Sequence, residues 1–320
     1  MTEMTLKEIA TELKKFDSAL IFSHARPDGD ALGSAMALKT ALISLGIEAD
    51  VVCASDIPEK YDIFPAFKTI KKPAEINKKY AAHVSVDISV ESMFGDSYQL
   101  YMKNANLFNI DHHVSNSRYA KYNFVRDNAA CCEIVYEFLQ SLGAKITSEI
   151  ADYLILGIIT DTGDFVHSNV TENTLFVSSK LVAAGARIHD ITYRMFKDQT
   201  KARALLFARV ISKMRFFIDD KLAIISILAD DFEQTGAKQE VTEGFIDFPL
   251  SIRGVEVAVS IMEAKNNCYK ISFRSKGKVN VNEVASVFGG GGHILASGCM
   301  ICGFYEDVKD KIIKAVSDAL

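Results

Sequence analysis

The chain has 320 residues, 49% hydrophobic and 24% charged, which is the composition of a globular protein with a sizeable core; at about 150 residues per domain, two domains are expected. Its formal net charge of −5 has the wrong sign for wrapping long nucleic acid, though a small phosphorylated ligand met by a local basic pocket fits it. No apolar stretch reaches the roughly 18 residues a membrane helix needs, and Met1–Lys7 lack the basic-then-apolar layout of a secretory leader, so a cytoplasmic protein without a membrane span is expected.

Ser18–Ser23 is an apolar run of strand length, and Asp30–Leu45 has helical periodicity that stops at Gly46. Ala49–Ala54 reads as a second strand, Val84–Val86 leads into Asp87, and Asn106–Ile110 leads into Asp111. Ala129–Leu142 is helical up to Gly143, and Ser148–Thr160 is a second helix ending at Asp161. Strands alternating with helices of this length predict an α/β fold with a mostly parallel sheet covered on both faces. From about Gly185 to Thr200 the pattern loosens. The division expected is a first domain over 1–190, a linker over 191–205 and a smaller α/β domain over 206–320. Within and around that second part, Lys201–Arg215 reads as a helix, Leu222–Leu228, Val255–Met262 and Tyr269–Phe273 as strands, and Val281–Phe288 and Tyr305–Ala319 as helices.

Cys53, Cys131, Cys132 and Cys268 sit in apolar settings, as reduced buried thiols do. Cys299 and Cys302 form one C-x-x-C, and without a second pair they read as core cysteines rather than as a zinc site.

The chemistry concentrates at strand ends. His24, Asp87 and Asp111-His112 each lie just past a predicted strand, the edge at which open α/β sheets bind ligands. His24, Asp28 and Asp30 share a loop broken by Pro27 and Gly29, which can turn several side chains inward. Taken alone, Asp30 reads equally well as a helix N-cap and Asp28 as a solvated turn residue. Asp111-His112-His113 is the stronger signal, because one imidazole can bind metal while its neighbour faces substrate. Asp161 could simply end a helix. Together these groups are a carboxylate-rich donor set that suits Mn²⁺ or Mg²⁺. So many acids repel one another unless more than one divalent ion lies between them, and two such ions about 3.5–4 Å apart are a common device for displacement at phosphorus. In the second half, Gly289–Gly292 can bring backbone N–H groups close to an anion, His293 ends the run, and Arg274 and Lys276 follow an apolar strand. His83, His189 and the lysines at 71, 72, 78 and 79 read as ordinary structure or solvated surface, and His167 could border the site.

In order along the chain, His24-x3-Asp28-x-Asp30, Asp87, Asp111-His112-His113 and Asp161 resemble the motifs of the DHH phosphoesterases. The segment Phe288–His293 with Arg274 resembles their associated C-terminal substrate domain. Within that family the chain looks most like the stand-alone bifunctional nanoRNases, which degrade oligoribonucleotides and dephosphorylate pAp (adenosine 3′,5′-bisphosphate). The resemblance implies one Mn²⁺ on His24, Asp28 and Asp87, and a second on Asp30, Asp87, His112 and Asp161. It further implies His113 on the scissile phosphate, Asp111 orienting the histidines, and Arg274, Lys276, Gly290, Gly291, Gly292 and His293 on the substrate. Short RNA oligonucleotides and pAp are the expected partners, with no long nucleic acid and no membrane; exposed strand edges would permit a homodimer. The alternatives are a phosphodiesterase of linear or cyclic dinucleotides such as pApA and c-di-AMP, and a non-catalytic binder of cyclic dinucleotides.

Overall fold

In the computed structural model the described residues are 4–265 and 267–320; the first three residues of the stretch read for a leader lie outside them. The chain divides into Met1–Asp198 and Gln199–Leu320.

The first unit contains, in order, α1 (Leu6–Leu13), β1 (Ser18–Phe22), α2 (Gly29–Ser44), β2 (Glu48–Val52), β3 (Ala82–Val86), α3 (Tyr98–Tyr101), β4 (Leu107–Asp111), β5 (Tyr122–Val125), α4 (Cys131–Ser141), α5 (Ser148–Asp161), α6 (Glu172–Ala183) and α7 (Ile188–Phe196). All five strands run parallel in the order β2-β1-β3-β4-β5. Parallel strands are covered on both faces and so read as unbroken apolar runs rather than alternation; Leu20, Ile21, Phe22, Val84, Val86, Phe108 and Ile110 are all fully buried. The order reverses between β1 and β3, and at such a reversal the crossovers leave on opposite faces and open a crevice at the carboxyl ends. Helices α2 and α5 pack at a distance that only glycine permits. A Cβ on Gly33 would lie 2.2 Å from the Tyr153 carbonyl oxygen, and one on Gly157 2.5 Å from Asp30 Oδ1.

The second unit contains α8 (Lys201–Ser212), β6 (Arg215–Phe217), β7 (Leu222–Ile227), α9 (Ala229–Thr235), α10 (Asp247–Ser251), β8 (Val257–Glu263), β9 (Cys268–Ser275), α11 (Val281–Ser286), β10 (Gly291–His293), β11 (Ala296–Cys302) and α12 (Tyr305–Ala319). Its sheet runs β10-β11-β9-β8-β7-β6, antiparallel except for the parallel pair β7–β8. Leu222, Val259, Ile271, Phe273 and Ile301 share a buried core with Val281 of α11 and Val308, Ile312 and Val316 of α12.

Within 191–205, α7 ends at Phe196 and α8 begins at Lys201, and the chain divides between them. Two expectations are corrected. The Lys201–Arg215 helix stops at Ser212, and Arg215 opens β6. Cys268 is not a reduced buried thiol, nor are Cys299 and Cys302 a core pair. Antiparallel register sets Cys302 directly opposite Cys268, the two are joined as a disulfide, and Cys302 is exposed. Residues 299 and 302 are an odd number apart on one strand, so they face opposite sides. Among the described residues, no helix is long and apolar enough to cross a membrane.

Candidate metal centre

The carboxyl ends of β1, β3 and β4 deliver their next residues to one place. His24 follows β1 by two residues, Asp87 follows β3 directly, and β4 ends in Asp111 with His112 and His113 beyond it. Helix starts and ends supply the rest. Asp28 caps α2, its Oδ1 accepting from the backbone N–H of Asp30 (3.1 Å) and Ala31 (3.0 Å). The capping role weighed for Asp30 thus belongs to Asp28. Asp30, one residue into α2, points instead at the first turn of α4, where the N–H groups of Cys131 (2.5 Å) and Cys132 (2.8 Å) donate to its two oxygens. Unsatisfied amides and the positive end of the helix dipole make that terminus a seat for a carboxylate. Asp161 is the last residue of α5 and arrives beside Asp30 because Gly33 and Gly157 let the two helices close.

Three overlapping three-residue groups result, each with donor atoms within 4.8 Å of one another: His24, Asp28 and Asp87; Asp87, His112 and His113; and Asp30, His112 and Asp161. Asp87 belongs to the first two of them. Its Oδ2 is 3.7 Å from His24 Nε2 and its Oδ1 3.3 Å from His112 Nε2. His112 Nε2 is also 3.6 Å from Asp161 and 3.9 Å from Asp30. Such separations are long for hydrogen bonds. They suit donors sharing one ion, since ligands at right angles with bonds of about 2.1 Å lie about 3 Å apart. Asp87 Oδ1 is buried and has no hydrogen-bond partner, a costly state for a carboxylate oxygen unless a cation takes it up. Asp87 also holds φ at +57°, a left-handed conformation that aspartate tolerates better than most residues. The donor set therefore fits divalent cations on its own chemistry.

The histidine tautomers follow from their partners. His112 Nδ1 lies 3.0 Å from the Asn128 carbonyl, which can only accept, so Nδ1 carries a proton and Nε2 is the ring atom that could take a cation. Asn128 is held by buried Glu133, which also takes Thr174 (2.7 Å) and Asn173 (2.8 Å). His113 Nδ1 donates to Asp111 Oδ1 at 2.8 Å, and Asn116 Nδ2 donates to Asp111 Oδ2 at 2.6 Å and to Asn109 Oδ1 at 2.9 Å. Asn116, Asn128 and Glu133 escaped the sequence reading, because a residue that positions a ligand through one hydrogen bond leaves no mark in spacing or periodicity.

Burial and mutual repulsion raise the carboxyl pKa of Asp30 and Asp87, and push that of Asp161 up to about 8. Burial opposes charge on His112, but the Asp87 carboxylate facing its Nε2 and the charge of Asp30 outweigh it and push it up to about 11. As a set, the groups hold protons where cations would replace them. Asp28 moves the other way: burial would raise it, but His24 and the two backbone amides hold it below the usual carboxylate range.

In the second unit, Arg274 is half-buried on β9 and its guanidinium touches the Phe273 carbonyl at 3.0 Å. Gly291–His293 are exposed on β10, paired with β11. Two glycines are needed for that pairing alone: a Cβ on Gly290 would lie 2.2 Å from the Gly298 oxygen, and one on Gly292 2.6 Å from that of Ala296. Lys276 is turned to the Ile252 carbonyl at 2.9 Å. Outside the cluster, His83 is buried against Tyr101, the His189 ring lies tilted beside Tyr193 with centroids 6.4 Å apart, and exposed His167 approaches the Asp161 carbonyl oxygen at 3.3 Å.

Residues 18–158 match the DHH family, N-terminal domain, and residues 219–320 match the DHHA1 domain. The chain is 30% identical to the bifunctional oligoribonuclease and PAP phosphatase NrnA of Thermus thermophilus, covering 98% of this chain and 94% of the relative. It is 26% identical to the NrnA of Bacillus subtilis, covering 96% of each. Among solved structures, an exopolyphosphatase-related protein from Bacteroides fragilis matches with a TM-score of 0.88 at 25% identity, over 98% of this chain and 95% of that one.

Proposed function

We propose, on the premise that this chain belongs to the DHH family and ends in a DHHA1 domain, that it is a metal-dependent phosphoesterase hydrolysing short oligoribonucleotides to mononucleotides and pAp to AMP and phosphate. The observation that carries the reading is Asp87 at the sheet's switch point, whose Oδ2 faces His24 and whose Oδ1 faces His112. The names of the relatives support the substrates.

In this reading His24, Asp28 and Asp87 hold one divalent ion, and Asp30, His112, Asp161 and Asp87 a second. The carboxylate-rich set favours Mn²⁺, with Mg²⁺ the alternative. Bound ions there supply positive charge to a phosphate and acidify water beside it. The chain's own groups do the rest. Asp111 holds the His113 ring by Nδ1, which presents Nε2 for the phosphate of the substrate, and Asn116 keeps Asp111 in that pose. Arg274, His293 and the Gly290–Gly292 backbone take the phosphate or terminal nucleoside, the guanidinium by its bidentate fork. Lys276, already engaged by a carbonyl, is the weakest member of that set.

The test is a hydrolysis panel with Mn²⁺: pAp, RNA of about two to five nucleotides, pApA, c-di-AMP, pyrophosphate and polyphosphate. Turnover of pAp and short RNA that vanishes in excess EDTA is expected. Preference for pyrophosphate or polyphosphate would overturn the substrate assignment, and full turnover after metal removal would overturn the metal reading.

A further inference from the structure

Among the described residues, no helix of the second unit completely covers one face of its sheet. Its buried side carries Tyr269, Ile271 and Phe273 of β9. The alternate residues Lys270, Ser272 and Arg274 point to the other side. By register their neighbours there are Met262, Ser260 and Ala258 on β8, and Met300, Gly298 and Ala296 on β11. Over β7 this side is packed: Ile225 and Ile227 join Leu206, Val210 and Phe245. Over β8, β9 and β11 it opens. Ser260, Ser272 and Arg274 are half-buried, whereas Lys270 and Met300 are exposed. The segment 239–246 stands as a wall over this floor, and a groove of about 490 Å³ lies between, lined by Glu240 and Glu243 on the wall and Ser260, Met262, Lys270 and Ser272 on the floor, with Arg274 at one end.

The charges are sorted within it. Both cations, Lys270 and Arg274, are on β9, and both carboxylates are on the opposite wall. An anion is drawn to the strand and repelled from the wall. A nucleotide is built the same way, with its phosphate on one side and its base on the other. Arg274 and Lys270 are four residues apart on an extended strand, about 13 Å at 3.3 Å per residue, too far to serve one phosphate. Ser272 lies midway with a hydroxyl that suits ribose or phosphate oxygens. The wall carboxylates can accept from an exocyclic amino group, which cytosine, adenine and guanine carry and uracil lacks, and the Met262 thioether offers a polarisable contact for a base.

We propose that this groove is a subsite for the nucleotide beyond the terminal one, with Lys270 and Ser272 on its sugar-phosphate backbone and Glu240 and Glu243 on the amino groups of its base. The proposal rests on the reading of the chain as an oligoribonuclease. It assigns the discrimination between a mononucleoside bisphosphate and an oligomer to residues outside the metal centre. Beyond Lys270 the same face ends at the Cys268–Cys302 disulfide, so the track holds few phosphates.

The experiment compares Lys270→Ala and Lys270→Glu with wild type, as full-length protein with Mn²⁺, on pAp and on an RNA 3-mer. Lys270→Ala is expected to lower kcat/KM for the 3-mer on the order of 10-fold through KM and to leave pAp within about twofold; Lys270→Glu should lower the 3-mer further. The log–log salt slope for the 3-mer should fall by about one unit, as for one lost phosphate contact. Glu243→Gln should narrow the preference of wild type for 3-mers of cytidine over those of uridine. Equal loss on both substrates, or none on the 3-mer, overturns the subsite while leaving the activity intact. A wild-type protein that turns over pAp but no 3-mer overturns the oligoribonuclease reading and the subsite with it.

Discussion

The two units keep their functional groups in opposite settings. In the first, Asp30, Asp87 and Asp111 are at most 2% exposed, and several of the groups are held by partners: α4 amides hold Asp30, Asn128 holds His112, and Asn116 and His113 hold Asp111. In the second, Lys270 and Gly291–His293 are exposed and Arg274 donates to a neighbouring carbonyl. The contrast follows from what each set must resist. Acids crowded around a cation site repel one another and would splay unless the fold held them, so their geometry is built in before any ion arrives. A grip on phosphate needs reach and a positive charge, and long side chains on an open face can adjust to the ligand. Rate should therefore reside in the first unit and affinity in the second.

The largest effect expected is from Asp87→Asn, which keeps the shape and the tolerance for positive φ but removes the shared charge. A fall in kcat of about 10³-fold or more is expected, comparable to losing a principal electrostatic stabiliser, while the metal-free protein should melt no lower than wild type because repulsion is relieved. A metal-free variant that melts far below wild type would make Asp87 structural, and the contrast between units would lose its anchor.

Arg274→Ala should move the other parameter. KM for pAp and short RNA is expected to rise on the order of 10-fold, the loss of one charged hydrogen-bonding group, with Mn²⁺ affinity unchanged. Calorimetric titration with Mn²⁺ that shows a large loss of affinity would tie Arg274 to the metal centre and erase the division of labour.

Gly157→Ala tests how tightly the first unit is built. The added methyl meets Cys132 Sγ at 2.3 Å and Asp30 Oδ1 at 2.5 Å, so a loss of about 1–3 kcal/mol from overpacking is expected, with weakened metal binding. An unchanged melting temperature would show that α2 and α5 have room to separate.

The smallest effect is a dependence on pH, confined to the first unit. Asp161, pushed up to about 8, and His112, pushed up to about 11, both bind protons more tightly folded than unfolded. Their stabilising contribution is complete below the unfolded values, near 3.8 for aspartate and 6.5 for histidine, and is lost as pH rises through the folded ones. The metal-free protein should thus melt at lower temperature at pH 8.5 than at pH 6, and saturating Mn²⁺ should remove the difference by replacing the protons. Equal melting of the metal-free protein at the two pH values would show that the acids are not crowded in solution.

The parallel sheet was legible because burial on both faces leaves continuous apolar runs, as at Ser18–Phe22 and Leu107–Asp111, and because α2 and α5 stop at Gly46 and at Asp161 with its following turn. The runs also exposed the candidate ligands, since His24, Asp87 and Asp111 are polar residues placed where an apolar pattern ends. Elements with little buried surface were missed: α7 has one buried residue and β10 none. The capping-box helix α1 also escaped, its Thr5–Glu8 signature overlapping the stretch read only for a leader.

Composition, periodicity and the order of acids and histidines by themselves determined an α/β first half with ligand-type groups at one sheet edge, because those signals are local and each element's burial writes its own pattern. The tertiary structure alone decided the rest. It turned Asp30 from a cap to the α4 terminus, paired Cys268 with Cys302 and set Lys270, Ser272 and Arg274 along one groove. Each of these depends on register or on a contact between residues far apart in the chain, and a contact across 101 residues leaves no trace in the spacing of either partner.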